Sequence, residues 1–77
     1  LLVYNKDVPG VIGALGTLLG KHKVNISRMT VGREESSQQN VILLNTDALL
    51  SKDLLAKVQE LSHIEDAMVL ELPQYFQ

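Results

Sequence analysis

Tyr4-Asn5-Lys6-Asp7-Val8-Pro9-Gly10-Val11-Ile12 is the stretch on which the fold turns. The apolar run before it, Leu1 to Asn5, reads as a short strand. Asp7-Val8-Pro9-Gly10 stops that strand, because proline and glycine punctuate regular structure. Proline is tolerated in the first turn of a helix, and an aspartate nearby can accept hydrogen bonds from the free amides there, so Asp7 reads as a helix cap. The helix that follows carries Val11, Ile12, Leu15, Leu18 and Leu19. These fall on one face of a 3.6-residue repeat and predict one buried side. Gly13, Gly16 and Gly20 form a second stripe beside it. Each glycine costs about 1 kcal/mol against alanine in a helix interior. Three of them point to close backbone approach, either onto the sheet or onto a second subunit.

After this helix, Val24 to Arg33 reads as a strand whose apolar residues Val24, Ile26, Met29 and Val31 keep a period of two, apart from a slip between Ile26 and Met29. Such a slip predicts a bulge. Glu34 to Gln39 is wholly polar and reads as a hairpin loop. Val41 to Leu44 is apolar on both faces, as a central strand requires. Ser51 reads as the N-cap of a second helix with Leu54, Leu55, Val58 and Leu61 on one face. His63 and Ile64 lead into a last strand through Ala67, Met68, Val69, Leu70 and Leu72, which Pro73 ends. The order is β-α-β-β-α-β. Crossovers between strands of one sheet are right-handed, so two such units interleave. The expected fold is an α+β, ferredoxin-like sandwich: a four-stranded antiparallel sheet with two helices on one face. Apolar residues on both sides of the strands favour partial cover of the bare face by a partner.

The chain has 77 residues, of which 45% are apolar. That suits a single domain, residues 1–77, with a real core. A domain this small is marginally stable alone, so self-association or attachment to a larger enzyme is expected. The start at Leu1 suggests a piece of a longer chain, a C-terminal fragment of an enzyme. Net charge is −2 and the basic residues are scattered, which argues against a nucleic-acid partner. There is no cysteine, which excludes disulfides, thiolate metal sites and cysteine nucleophiles. No apolar run approaches the roughly 20 residues that span a bilayer, and no signal-like start is present. The expectations are no membrane partner, a cytoplasmic location, and no metal or cofactor in this domain.

The quoted stretch resembles the opening of ACT domains: a strand, a polar loop, then Asp-x-Pro-Gly with an apolar residue opening the helix. Val24-Asn25-Ile26-Ser27 is similar to the family's hydrophobic-Asn-Ile start of strand two, which Met29-Thr30-Val31-Gly32-Arg33 closes. Ile64-Glu65-Asp66-Ala67 resembles the entry to its final strand. Within the family, the Val-Gly-Arg ending and the short length look most like the C-terminal domains of D-3-phosphoglycerate dehydrogenases, NAD-dependent enzymes of serine synthesis. The ACT domains of bacterial iron–sulfur L-serine dehydratases are a close second. The resemblance implies a regulatory domain rather than an enzyme, with feedback by L-serine bound between two ACT domains whose sheets join edge to edge. It puts the polar loop positions of the site on Asn5 and Asp7, and the strand-two position on Asn25 of the neighbouring subunit. Some serine-sensitive members have histidine where Asn5 stands and asparagine where Asp7 stands.

The chemistry of such a site follows without the family. A free amino acid presents a carboxylate and an ammonium. Free amides at a helix start suit the carboxylate; proline has none, so Gly10, Val11 and Ile12 would supply them. Asp7 suits the ammonium, while Asn5 and Asn25 both donate and accept. Plainer roles stand beside these: Asp7 as a cap alone, Asn5 satisfying loop amides, Asn25 starting a strand. His22, His63 and the pair Glu34-Glu35 read as solvated surface groups. Other classes fit less well. An acylphosphatase needs an arginine in the first loop, where this chain has Lys6 beside Asp7. An RNA-binding sheet needs aromatics on its middle strand, and the aromatics here are Tyr4, Tyr75 and Phe76. A dimerisation module without a ligand is the serious alternative.

Overall fold

Alternation of apolar residues makes Leu2–Lys6 the first strand, β1, with Val3 and Asn5 turned inward and Tyr4 and Lys6 outward. The computed structural model describes residues 1–34 and 36–70. After β1 come α1 (Val11–Lys21), β2 (Ile26–Glu34), β3 (Gln39–Thr46), α2 (Lys52–Glu60) and β4 (Ile64–Met68). The strands form one antiparallel sheet in the order β2-β3-β1-β4 with both helices on one face, the ferredoxin-like arrangement expected.

Cross-strand register sets what shares a face. Val31, Ile42, Val3 and Ala67 form one rung across the four strands, and Met29 and Leu44 belong to the next. Onto the middle of these rungs α1 lays Val11, Leu15 and Leu19, and α2 lays Leu54 and Val58. Val3, Leu19, Ile42 and Val58 are completely buried. Ile12, expected on the buried face of α1, is exposed.

The slip in β2 is a bulge: the β2–β3 register shifts between Ile26 and Arg28. The strand itself begins at Ile26; Val24 instead donates its amide to Leu19 O at 2.9 Å, closing the end of α1. Burial of the β2 side chains departs from the periodic pattern. Met29 and Val31 point to the helix side, yet are 42% and 39% exposed, because β2 is an edge strand and the helices cover the strands beyond it. β4 ends at Met68, so Val69 and Leu70 do not continue the strand; Leu72 and Pro73 lie outside the described residues, as do Glu35, Tyr75 and Phe76.

Ser51 caps α2 as expected, accepting a hydrogen bond from Leu54 N at 3.1 Å. Asp7 does not cap α1. The helix begins at Val11 with Gly10 as N-cap and no side-chain cap, so Asp7 lies three residues too early and Pro9 precedes the helix. Gly10 holds φ at +96°, a left-handed conformation that glycine alone adopts cheaply. The glycine stripe does not press on the sheet either: a Cβ at Gly13, Gly16 or Gly20 would meet nothing within 4 Å.

Candidate functional site

One rung of the helix-side face is polar. Arg33, Asn40 and Asn5 stand in a row across β2, β3 and β1, one rung beyond Val31, Ile42 and Val3. The β1–α1 loop and the start of α1 pass over this end. Together they wall a groove of about 480 Å³, open to solvent, lined by Asn5, Asp7, Val8, Pro9, Gly10, Val11, Ile12, Gly13, Val31, Arg33 and Asn40.

Asp7 ties the loop to the row. One carboxylate oxygen, Oδ1, accepts from Asn40 Nδ2 at 3.2 Å, and the other, Oδ2, lies 3.5 Å from Arg33 Nε. The backbone adds Asp7 N to Gln38 O at 2.8 Å and Lys6 N to His63 O at 3.0 Å. The Arg33 side chain is 69% exposed and that of Asp7 34%, so the ion pair adds little stability. Its effect is local: the mouth of the groove carries one charge of each sign.

The asparagines differ from Asp7 in burial. Asn5 is 1% exposed and Asn40 7%. Asn5 Nδ2 donates to Lys6 O at 2.8 Å, and Asn40 Nδ2 donates to the Asp7 carboxylate. Since a carbonyl and a carboxylate only accept, both amide orientations are fixed. Both oxygens, Asn5 Oδ1 and Asn40 Oδ1, are shielded from solvent and have no partner among the described residues. A buried acceptor left unmade costs about 1–3 kcal/mol. Two unmet acceptors therefore lie just behind the lining of the groove. The uncapped amides at the positive end of α1 are those of Val11, Ile12 and Gly13, one residue later than expected, because the helix begins at Val11 with Gly10 as its N-cap.

The chain thus gathers Asn5, Asp7, Gly10, Val11 and Ile12 at one place. Asn25 is not among them. It is exposed, before β2, where its amide donates to Asp47 Oδ1 at 3.0 Å; eight residues of mostly extended chain, roughly 20–25 Å, separate it from Arg33. Sequence reasoning missed Asn40, Arg33 and Val31. Asn40 had a signal: it continues the inward parity of Ile42 and Leu44. His22 is exposed at the end of α1, its Nδ1 3.1 Å from Leu18 O and its Nε2 3.3 Å from Lys57 Nζ. Among the described residues, no group of three or more histidine, aspartate or glutamate side chains is placed to hold a metal ion, and no helix is long and apolar enough to cross a membrane.

Residues 1–63 match the family model described as ACT domain. The chain is 35% identical over 71 residues to the D-3-phosphoglycerate dehydrogenase of Methanocaldococcus jannaschii, covering 92% of this chain and 14% of that one. It is 36% identical over 72 residues to that of a Synechocystis species (94% and 13%) and 32% identical over 74 residues to that of Bacillus subtilis (94% and 14%). It therefore spans about a seventh of the length of these relatives. Sequence, fold and relatives agree that this chain belongs to the ACT domain family, whose members are regulatory rather than catalytic.

Proposed function

We propose that this domain senses a small free amino acid, with L-serine the first candidate, and regulates a D-3-phosphoglycerate dehydrogenase of which it forms the C-terminal part. The observation that carries the reading is the groove at the start of α1. Uncapped amides of Val11, Ile12 and Gly13 receive the ligand carboxylate, and Asn5 and Asp7 receive its ammonium. The relatives named above favour the dehydrogenase over an L-serine dehydratase as parent enzyme.

The same reading has two copies of the domain pair through their sheet edges. β2 is an edge strand that leaves Met29 and Val31 exposed beside Ile12. Two β2 strands meeting antiparallel about Met29 set Asn25 of the second copy opposite Arg33 of the first, at the mouth of the groove. Asn25 then completes a site that one copy leaves open. An effector that binds one arrangement of the pair better draws the enzyme toward it, with coupling of about 1–3 kcal/mol. A plain dimerisation module is supported by one observation, that Asp7 is already engaged by Asn40 and Arg33.

A thermal melt decides between them. A ligand at 100 times its Kd adds about 2.7 kcal/mol, and about 1 kcal/mol moves the midpoint of a domain this size by roughly 4–8 °C. L-serine raises the midpoint of the wild-type chain, and Asn25→Ala removes the effect. If no common amino acid moves it, the dimerisation reading replaces this one.

A further inference from the structure

We infer that Asn40 is a specificity-determining residue of the groove, and that with Asn5 and Asp7 it forms a three-oxygen nest for a primary ammonium. This rests on the amino-acid reading above and adds a residue that neither the motif nor the resemblance assigns. Asn40 and Asn5 are direct partners in the β1–β3 register, so their side chains stand side by side on one face, about 5 Å apart at Cβ. Each amide nitrogen is committed, to Asp7 and to Lys6 O respectively. Both residues line the groove, and each amide oxygen is buried and without a partner among the described residues. The Asp7 carboxylate, held by Asn40 Nδ2, is the third acceptor. A primary ammonium brings three donors and no acceptor, which matches the nest in number and charge. A hydroxyl brings one donor and no charge. Both oxygens are shielded from solvent in the free chain, so a cationic head reaches them only as the side chains at this end of the groove shift to admit it, which favours a small head over a guanidinium. The α1 amides then fix the carboxylate on the other side, so the ligand is an α-amino acid with an unsubstituted amine rather than a 2-hydroxy acid.

The test is calorimetric titration of the 77-residue chain with L-serine and with L-glycerate, its 2-hydroxy counterpart, for wild type and Asn40→Leu. The expected result is L-serine binding at least tenfold tighter than L-glycerate to the wild type. Asn40→Leu loses at least tenfold in L-serine affinity. Equal L-serine affinity in wild type and Asn40→Leu overturns the role of Asn40 while leaving the amino-acid site standing. A wild-type chain that binds L-serine no better than L-glycerate overturns the ammonium nest, and one that binds no common amino acid overturns both readings. Should Asn40→Leu not fold, carbon-detected NMR of the wild type decides: added L-serine shifts the Asn40 carboxamide carbon, and an unmoved carbon at saturation overturns the inference.

Discussion

Asn5 and Asn40 face each other across β1 and β3, each with its amide nitrogen bonded and its amide oxygen buried without a partner. Two such oxygens weaken the fold at the end of the sheet where the groove lies. Asn40→Leu removes one unmet acceptor, a gain, and the Nδ2 bond to Asp7, a loss tempered because the Asp7 carboxylate is partly exposed and turns to solvent. Asn40→Leu is therefore expected to change stability without ligand by less than about 1 kcal/mol. One rung away, Ile42→Ala removes fully buried apolar volume and is expected to cost about 2–5 kcal/mol. Urea unfolding of both variants checks the contrast.

The two acidic or hydroxyl residues read as caps separate cleanly. Ser51→Ala removes an observed cap and is expected to cost about 0.5–2 kcal/mol. Asp7→Asn keeps an oxygen for Asn40 and loses only an exposed ion pair with Arg33, worth at most about 1 kcal/mol. Asp7→Ala also strands the Asn40 amide donor, so it is expected to destabilise more than Asp7→Asn. Equal stability of the two Asp7 variants would remove the Asp7–Asn40 bond from the account.

Gly10 and Gly16 are expected to respond in opposite directions. At Gly10 the left-handed φ of +96° penalises any side chain, so Gly10→Ala should cost about 1–3 kcal/mol. At Gly16 a Cβ enters open space in a helix, so Gly16→Ala should stabilise the dissociated chain by about 0.5–1 kcal/mol. Thermal unfolding at low protein concentration reads both.

Much of the fold was legible because it depends on local signals. The element order, the Ser51 cap and the β2 bulge each follow from a few neighbouring residues. The Asp7 cap was misread because capping depends on which residue directly precedes the helix. Val8-Pro9 delays the helix to Val11, which leaves Gly10 in that place. The site was legible only in its loop half. Asn40 and Arg33 join Asn5 through cross-strand register, and register depends on the length of the β2–β3 turn rather than on any motif. The exposure of Met29 and Val31 was hidden for a related reason: periodicity shows which face a side chain takes, not whether a helix reaches it.

The pairing of two β2 edges has its own test. Sedimentation at micromolar concentration is expected to show a dimer. Val31→Lys puts a charge on the exposed strip beside Ile12 and is expected to yield monomers that keep the wild-type circular dichroism. A dimer undisturbed by Val31→Lys would move the interface to another face.

The most direct test of the groove as an amino-acid site is an amide NMR titration of the wild-type chain with L-serine. The backbone amides of Val11, Ile12 and Gly13 and the side-chain amides of Asn5 and Asn40 are expected to shift together, with one common saturation curve. Shifts confined to the open face of the sheet, around Tyr4 and Leu43, or none at saturating L-serine, would contradict it.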